Sequence, residues 1–150
     1  MAFQSDLDLE RFVIAQNFNE SFLNAISELV EGKKRSHWIW WIFPQLRGLG
    51  VSEQSIRFSI GSIAEATAYL THPVLGPRLI MSTKAILSHA GTGIVEVLGT
   101  IDSQKFQSSM TLFALVGPTI SLYSEALATF FDNNRCSLTI QLVGALEQRP

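Results

Sequence analysis

A chain of 150 residues and 16.6 kDa is long enough for one domain with a sizeable core and too short for two independent cores. Hydrophobic residues make up 47% of it and charged residues 16%, which excludes general disorder. A net charge of −2 and a pI near 5.9 argue against a broad polyanion-binding face, so a nucleic-acid partner is disfavoured.

The longest apolar runs are about six residues, against the roughly 20 a membrane-spanning helix requires, so no membrane partner is expected. The amino terminus lacks the charged start and apolar stretch of a secretory signal. Cys136 is alone and cannot form an internal disulfide. These features together point to the cytoplasm.

In chain order, residues 5–17 read as a first helix, with Ser5 as N-cap, Asp8 as its capping-box partner and Leu9, Phe12 and Val13 as the apolar stripe. Asn19 is placed to cap a second helix whose inner face is Phe22, Ala25, Ile26, Leu29 and Val30 and whose end is Gly32. Residues 37–43 have no helical polar face, and Pro44 disfavours helical geometry at Phe43. That stretch is either buried extended chain or a short enclosed helix. Residues 46–50 form a turn. Ser62 and Glu65 make a capping box for a helix through Thr71, which His72-Pro73 ends.

Pro73 or Pro77 then opens a longer helix closed by Gly91, with Leu75, Leu79, Ile80, Ala85, Ile86 and Leu87 inward. A short helix is expected over 92–98. Asp102 is placed to cap the next, in which Phe106, Met110 and Phe113 recur on one side before Pro118. Thr119 and Ser137 begin the last two, with Leu122, Ala126, Leu127 and Phe130 in one stripe and Ile140, Val143 and Leu146 in the other. The expectation is a single all-α domain over 1–150, a compact bundle of about seven to eight helices without repeats or linkers.

Two stretches carry concentrated polar chemistry. The first is KKRSHWIWWIFPQ (33–45), where three cations, a histidine and three tryptophans precede Gln45. Lys34 suits a phosphate or carboxylate, and the imidazole of His37 suits proton exchange near neutral pH. Ser36 offers a hydrogen bond, and Trp38 and Trp40 an aromatic wall. Gln45, if buried, must find partners, and its amide can read a ligand's edge. The second stretch is the helix from Asp102, where Lys105, Ser108 and Ser109 project beside the acid, with Thr111 as a further hydroxyl. The plainer alternatives are a solvated cation row, packed tryptophans and serines that merely let a neighbouring helix approach.

Sharper chemistry fails on spacing. His37, His72 and His89 form no HExxH or cysteine-rich arrangement, and no metal or cofactor is implied. A Ser109, His37 and Asp102 triad lacks the G-x-S-x-G elbow, and no glycine-rich phosphate loop is present.

The runs GKKRSHWIWWIFPQLRGLG (32–50), AYLTHPVLGPRL (68–79) and KFQSSMTLF (105–113) closely resemble the family known as domain of unknown function 1810, some members of which carry the misleading label calpastatin. The resemblance spans about 11–142. It implies a compact helical domain with no assigned reaction. The polar positions at Lys34, Ser36, His37, Gln45, Asp102, Lys105, Ser108 and Ser109 match the family pattern, whereas Phe58 stands where tyrosine is usual. A fainter similarity, in the order of an aromatic segment, Leu-Gly-x-Arg and a lysine-bearing helix, is to helical glycosidases that act on ADP-ribose and related N-ribosides.

The resulting expectation is a binder of a small anionic, nucleotide-like ligand, held by Lys34, Ser36, Trp38, Trp40, Gln45, Ser108, Ser109 and Thr111. If it turns over, a hydrolysis or group transfer on a small polar metabolite is expected, with Asp102 as general base or charge stabiliser and Lys105 or His37 balancing an anion. The competing expectation is a non-catalytic interaction domain in which the same residues form a buried polar network. The binding and turnover expectations rest on the tryptophan stretch and the lysine-serine helix meeting around one hollow.

Overall fold

The computed structural model describes residues 8–148 and is built from α-helices. In order they are α1 (Glu10–Asn17), α2 (Ser21–Glu31), α3 (Ile39–Ile42), α4 (Glu53–Arg57), α5 (Ile63–Thr71), α6 (Leu75–Leu87), α7 (Ile94–Leu98), α8 (Thr100–Val116), α9 (Ser121–Phe131) and α10 (Ser137–Glu147), with a 3-10 turn, Phe18–Glu20, between α1 and α2. All but α3, α4 and α7 run for eight residues or more, which matches the all-α expectation. Among the described residues one isolated parallel bridge, Leu46 with Ile60, ties the turn after the tryptophans to the start of α5. No described helix is long and apolar enough to cross a membrane.

Local signals explain most boundaries. At the end of α2, Gly32 adopts φ +84°, its N–H donates to the Leu29 carbonyl and that of Lys33 to the Glu28 carbonyl, so the helix closes in a Schellman motif. Ser62 Oγ accepts from the Glu65 N–H at 3.0 Å and caps α5. Other caps differ from expectation. Ser5 lies outside the described residues, and within them α1 starts at Glu10. Asn19 is left-handed, φ +50°, and belongs to the 3-10 turn, so it does not cap α2. Asp102 lies in the first turn of α8 rather than at its cap, which is Gly99.

The core is organised around α8. From Ser108 to Ala114 every residue of that helix is buried, so it is enclosed on all sides, and the amphipathic reading of its serine arc gives way to a central helix. Two of its hydroxyls bond back one turn, Ser108 to the Gln104 carbonyl and Thr111 to the Gln107 carbonyl, whereas that of Ser109 has no partner among the described residues. Phe106, Met110 and Phe113 are fully buried, as the periodicity requires. The last helix is rotated from its expected register, with Thr139 and Val143 buried and Ile140 44% exposed.

An aromatic chain links the layers. Trp41 meets Phe58 edge-on at 5.1 Å, Phe58 reaches Phe12 at 5.9 Å, Phe12 meets Tyr69 at 5.2 Å and Tyr69 meets Phe113 at 5.4 Å. Beside it the buried Gln16 donates to the Trp41 carbonyl at 2.8 Å and accepts from Arg78, which ties α1 to α3 and α6. Arg11 donates to the carbonyls of Arg57 and Ser59 and pairs with Glu65 at 2.8 Å, fastening α1 to α4 and α5.

One buried carboxylate shapes the segment that follows α2. Glu28 lies one turn from Ala25 on the inner face, a place the sequence pattern assigned to Val30, which is instead 60% exposed. It accepts from the N–H groups of Arg35 and Ser36 at 2.7 and 2.9 Å, from the Ser36 hydroxyl, and from the Trp38 indole at 2.9 Å. Burial alone would raise this carboxyl; the four donors outweigh it and hold it at about 2, below the usual 4.5.

Two predictions follow from this packing. A Cβ at Gly76 would fall inside contact distance of the Leu70 carbonyl oxygen, so Gly76→Ala is expected to cost about 1 to 3 kcal/mol in denaturant unfolding. For Glu28 the folded value lies below the unfolded one, so its stabilisation is complete above the unfolded value near 4.5 and is lost as pH falls toward 2. Glu28→Gln, which sets an amide N–H₂ against donors, is expected to cost about 1 to 3 kcal/mol at pH 7. The gap between the two proteins should close across that acid window; a gap independent of pH would show that the charge of Glu28 is not what holds the loop.

Candidate functional site

Two hollows lie on either side of the tryptophan segment. The larger, of about 760 Å³, is bounded by α1, the 3-10 turn, the loop before α3 and the end of α4. Arg11, His37, Trp41, Arg57 and Phe58 line it, with Phe18, Asn19 and Asn24 along its rim. The rim is made by an unusual backbone: Asn19 and Glu20 follow one another in the left-handed region, φ +50° and +58°, a conformation that costs a side-chain-bearing residue of order 1 to 3 kcal/mol. The Asn24 amide donates to the Asn19 carbonyl at 3.2 Å and holds the turn. The same turn leaves Phe18 69% exposed at the edge of the hollow.

The electrostatics of this hollow are uneven. Arg11 is committed to Glu65 and to backbone carbonyls, so its charge is answered within the protein. Arg57 is exposed, lies 5.3 Å from the Phe58 ring and has no ion pair among the described residues. His37 is exposed on a backbone that Glu28 holds through its two flanking residues, Ser36 and Trp38. Trp41 donates its indole N–H to Ser21 at 2.8 Å, which fixes its ring as one wall.

The second hollow, of about 420 Å³, lies between the turn at 45–49, α8 and the start of α10, and is lined by Gln45, Lys105, Ser108, Arg135 and Cys136 among others. A gap of about 10 Å³ beside it, under Trp40, Phe43 and Ser55, also reaches Gln45 and Lys105. Trp40 is half-buried, and its indole nitrogen has no hydrogen-bond partner among the described residues.

The residues singled out from the sequence therefore divide. Ser36, His37 and Trp38 face the larger hollow; Gln45, Lys105 and Ser108 face the second; Trp40 backs the small gap. Lys34 and Asp102 form an ion pair at 2.9 Å, with the Lys34 ammonium also donating to the Ser36 carbonyl and lying 5.0 Å from the Trp38 ring. Lys34 is thus no free anion holder, and Asp102 lines none of the three hollows. Ser109 is wholly enclosed, its hydroxyl without a partner among the described residues, and Thr111 accepts the Cys136 N–H at 3.0 Å; neither lines these hollows. The tryptophan segment and α8 do meet, at Lys34–Asp102 and around Gln45 and Lys105, but the catalytic candidates His37, Asp102 and Lys105 share no hollow.

Sequence reading missed Glu28, Arg57, Arg135 and Cys136. For Glu28 a signal existed, since an acid one turn from Ala25 and beside Leu29 falls on the apolar stripe. The others carry no local signal, because only tertiary contact brings them to a hollow. Among the described residues no group of three or more His, Cys, Asp or Glu side chains stands close enough to hold a metal ion.

The fold is similar to the crystal structure of the conserved hypothetical protein Rv1873 from Mycobacterium tuberculosis, with a TM-score of 0.89 and 40% sequence identity over 92% of this chain and 97% of that one. A comparison with curated proteins finds none that matches. Residues 6–143 match the family described as "Protein of unknown function (DUF1810)", three ordered motifs of which were apparent from the residues alone. The chain belongs to the DUF1810 family.

Proposed function

We propose that this protein binds a small anionic, nucleotide-like ligand in the larger hollow. The observation that carries the reading is the placement of Arg57, whose guanidinium has no ion pair among the described residues, and the imidazole of His37 around a space of about 760 Å³ whose walls include Trp41 and Phe58. That volume lies within the range of small-molecule sites, which combine apolar walls with a few convergent polar groups. In this reading Arg57 grips a phosphate or carboxylate in bidentate fashion, His37 donates to it, and the Trp41 and Phe18 rings cover a planar or sugar moiety. The neutralised Lys34 and the committed Arg11 serve as scaffold.

Hydrolysis or group transfer, including cleavage of an ADP-ribose-like N-riboside, calls for a carboxylate near the reacting carbon; Asp102 is engaged with Lys34 elsewhere, and the carboxylate that lines this hollow is the exposed Asp8. A second reading, a non-catalytic interaction domain held by a buried polar network, draws on the same ion pair and on the four donors around Glu28, which satisfy these groups without any ligand.

Calorimetric titration with ADP-ribose, adenine nucleotides and sugar phosphates separates the two. The binding reading expects at least one of these to bind, with Arg57→Ala and His37→Ala each weakening it about tenfold, roughly 1.4 kcal/mol, while the melting temperature of the free protein stays within a few degrees. If none binds or raises the melting temperature, while Lys34→Ala and Asp102→Ala each lower stability by about 1 to 3 kcal/mol, the network reading replaces it.

A further inference from the structure

We propose that the second hollow is a thiol-exchange site, in which Cys136 attacks small carboxylate-bearing disulfides and retains one half as a mixed disulfide. This does not depend on the ligand of the larger hollow.

The site is built rather than incidental. Cys136 is half-buried at the cap of α10, an eleven-residue helix, where the positive end of the helix favours a thiolate. Its segment is pinned to α8 by three side chains: Gln107 donates to the Asn134 carbonyl at 2.8 Å, Thr111 accepts the Cys136 N–H, and the Ser108 hydroxyl points at the sulfur from 3.4 Å. An independent feature marks the space in front of it as a ligand site. Gln45 is only 8% exposed, lines the hollow, and its carboxamide has no hydrogen-bond partner among the described residues. Its amide is left to bond whatever polar group enters the hollow. Lys105 and Arg135 line the same hollow without an ion pair among the described residues, so an anion entering it would meet two cations beside the amide of Gln45. The thiol itself agrees: burial would push it up, but the Ser108 hydroxyl and the N–H groups of Thr139 and Leu138 hold it below the ordinary value.

The lining also selects the reaction. Among the described residues it holds no histidine or carboxylate, which leaves Lys105 as its general acid or base. Disulfide exchange needs only the thiolate. The Cys136 sulfur bonds to one sulfur of the incoming disulfide, the incoming S–S bond breaks, and the other half leaves as a thiolate that takes a proton from water. With no other cysteine in the chain, release requires attack by an external thiol in the reverse sense.

Whole-protein mass spectrometry tests this with two disulfides of opposite charge, glutathione disulfide and cystamine, and an unstructured cysteine peptide as reference. The full chain is expected to form one adduct, to lose it with a thiol reductant, and to prefer glutathione disulfide over cystamine several-fold more than the peptide does. Lys105→Gln and Arg135→Gln should each cut that preference about threefold or more, with circular dichroism showing both folded, and Cys136→Ser should form no adduct. A preference equal to that of the peptide, or one untouched by both substitutions, would overturn the proposal. So would an exchange rate that rises with pH only around an ordinary thiol value.

Discussion

The carboxylate of Glu28 accepts four hydrogen bonds from a stretch of chain that begins seven residues later, and the placement of everything between α2 and α3 depends on it. An acid on the inner face of a helix would be expelled or protonated without partners. Here the loop wraps around it, so that two backbone N–H groups, a hydroxyl and an indole converge on its oxygens. The loop thereby acquires one conformation. Trp38 is driven into the core, His37 is turned outward, and the Lys34 ammonium is delivered to Asp102 on α8. A polar group that would otherwise destabilise the core instead specifies which way a basic, aromatic-rich segment runs.

The second organising element is α8, which serves as the common wall between layers. Its length and all-round burial make it a ruler against which α5, α7, α9 and α10 are set. Small hydroxyl residues suit this position because they bond back to the preceding turn and allow close approach of a neighbouring helix. Under the 134–136 segment the same residue types take a second role: Ser108 and Thr111 not only fill space but hold that segment in place. One helix thus contributes both to the centre of the core and to the edge of a hollow, which is why its polar residues resist a single description.

The two hollows differ in how their cations are handled. In the larger, Arg11 is spent on joining three helices and Arg57 remains over an aromatic ring at the mouth; in the second, Lys105 and Arg135 face a buried amide and a thiol. The Lys34–Asp102 pair stands between these regions and carries the link from the loop to α8. Seen this way the concentration of charge in residues 33–45 is chiefly architectural. None of its three cations is among the residues lining the larger hollow, and two of them are paired within the protein, Arg35 with Glu31 and Lys34 with Asp102.

The sequence by itself determined the helical class, the end of α2 at Gly32, the start of α5 at Ser62 and the buried face of α8 at Phe106, Met110 and Phe113. These are properties of the local chain: glycine alone tolerates a positive φ cheaply, a serine oxygen reaches an N–H three residues on, and a period near 3.6 separates inside from outside. It also marked Ser36, His37, Gln45 and Lys105 as polar groups beside hollows, because polar residues next to long apolar runs have few other places to go. Only the tertiary structure decided which of them share a space. Periodicity assigns a residue to a face of its own helix but not to a neighbour, so the closure of Lys34 on Asp102, the placing of Arg57 and His37 around one hollow and of Gln45 and Cys136 around another depended on how remote helices pack.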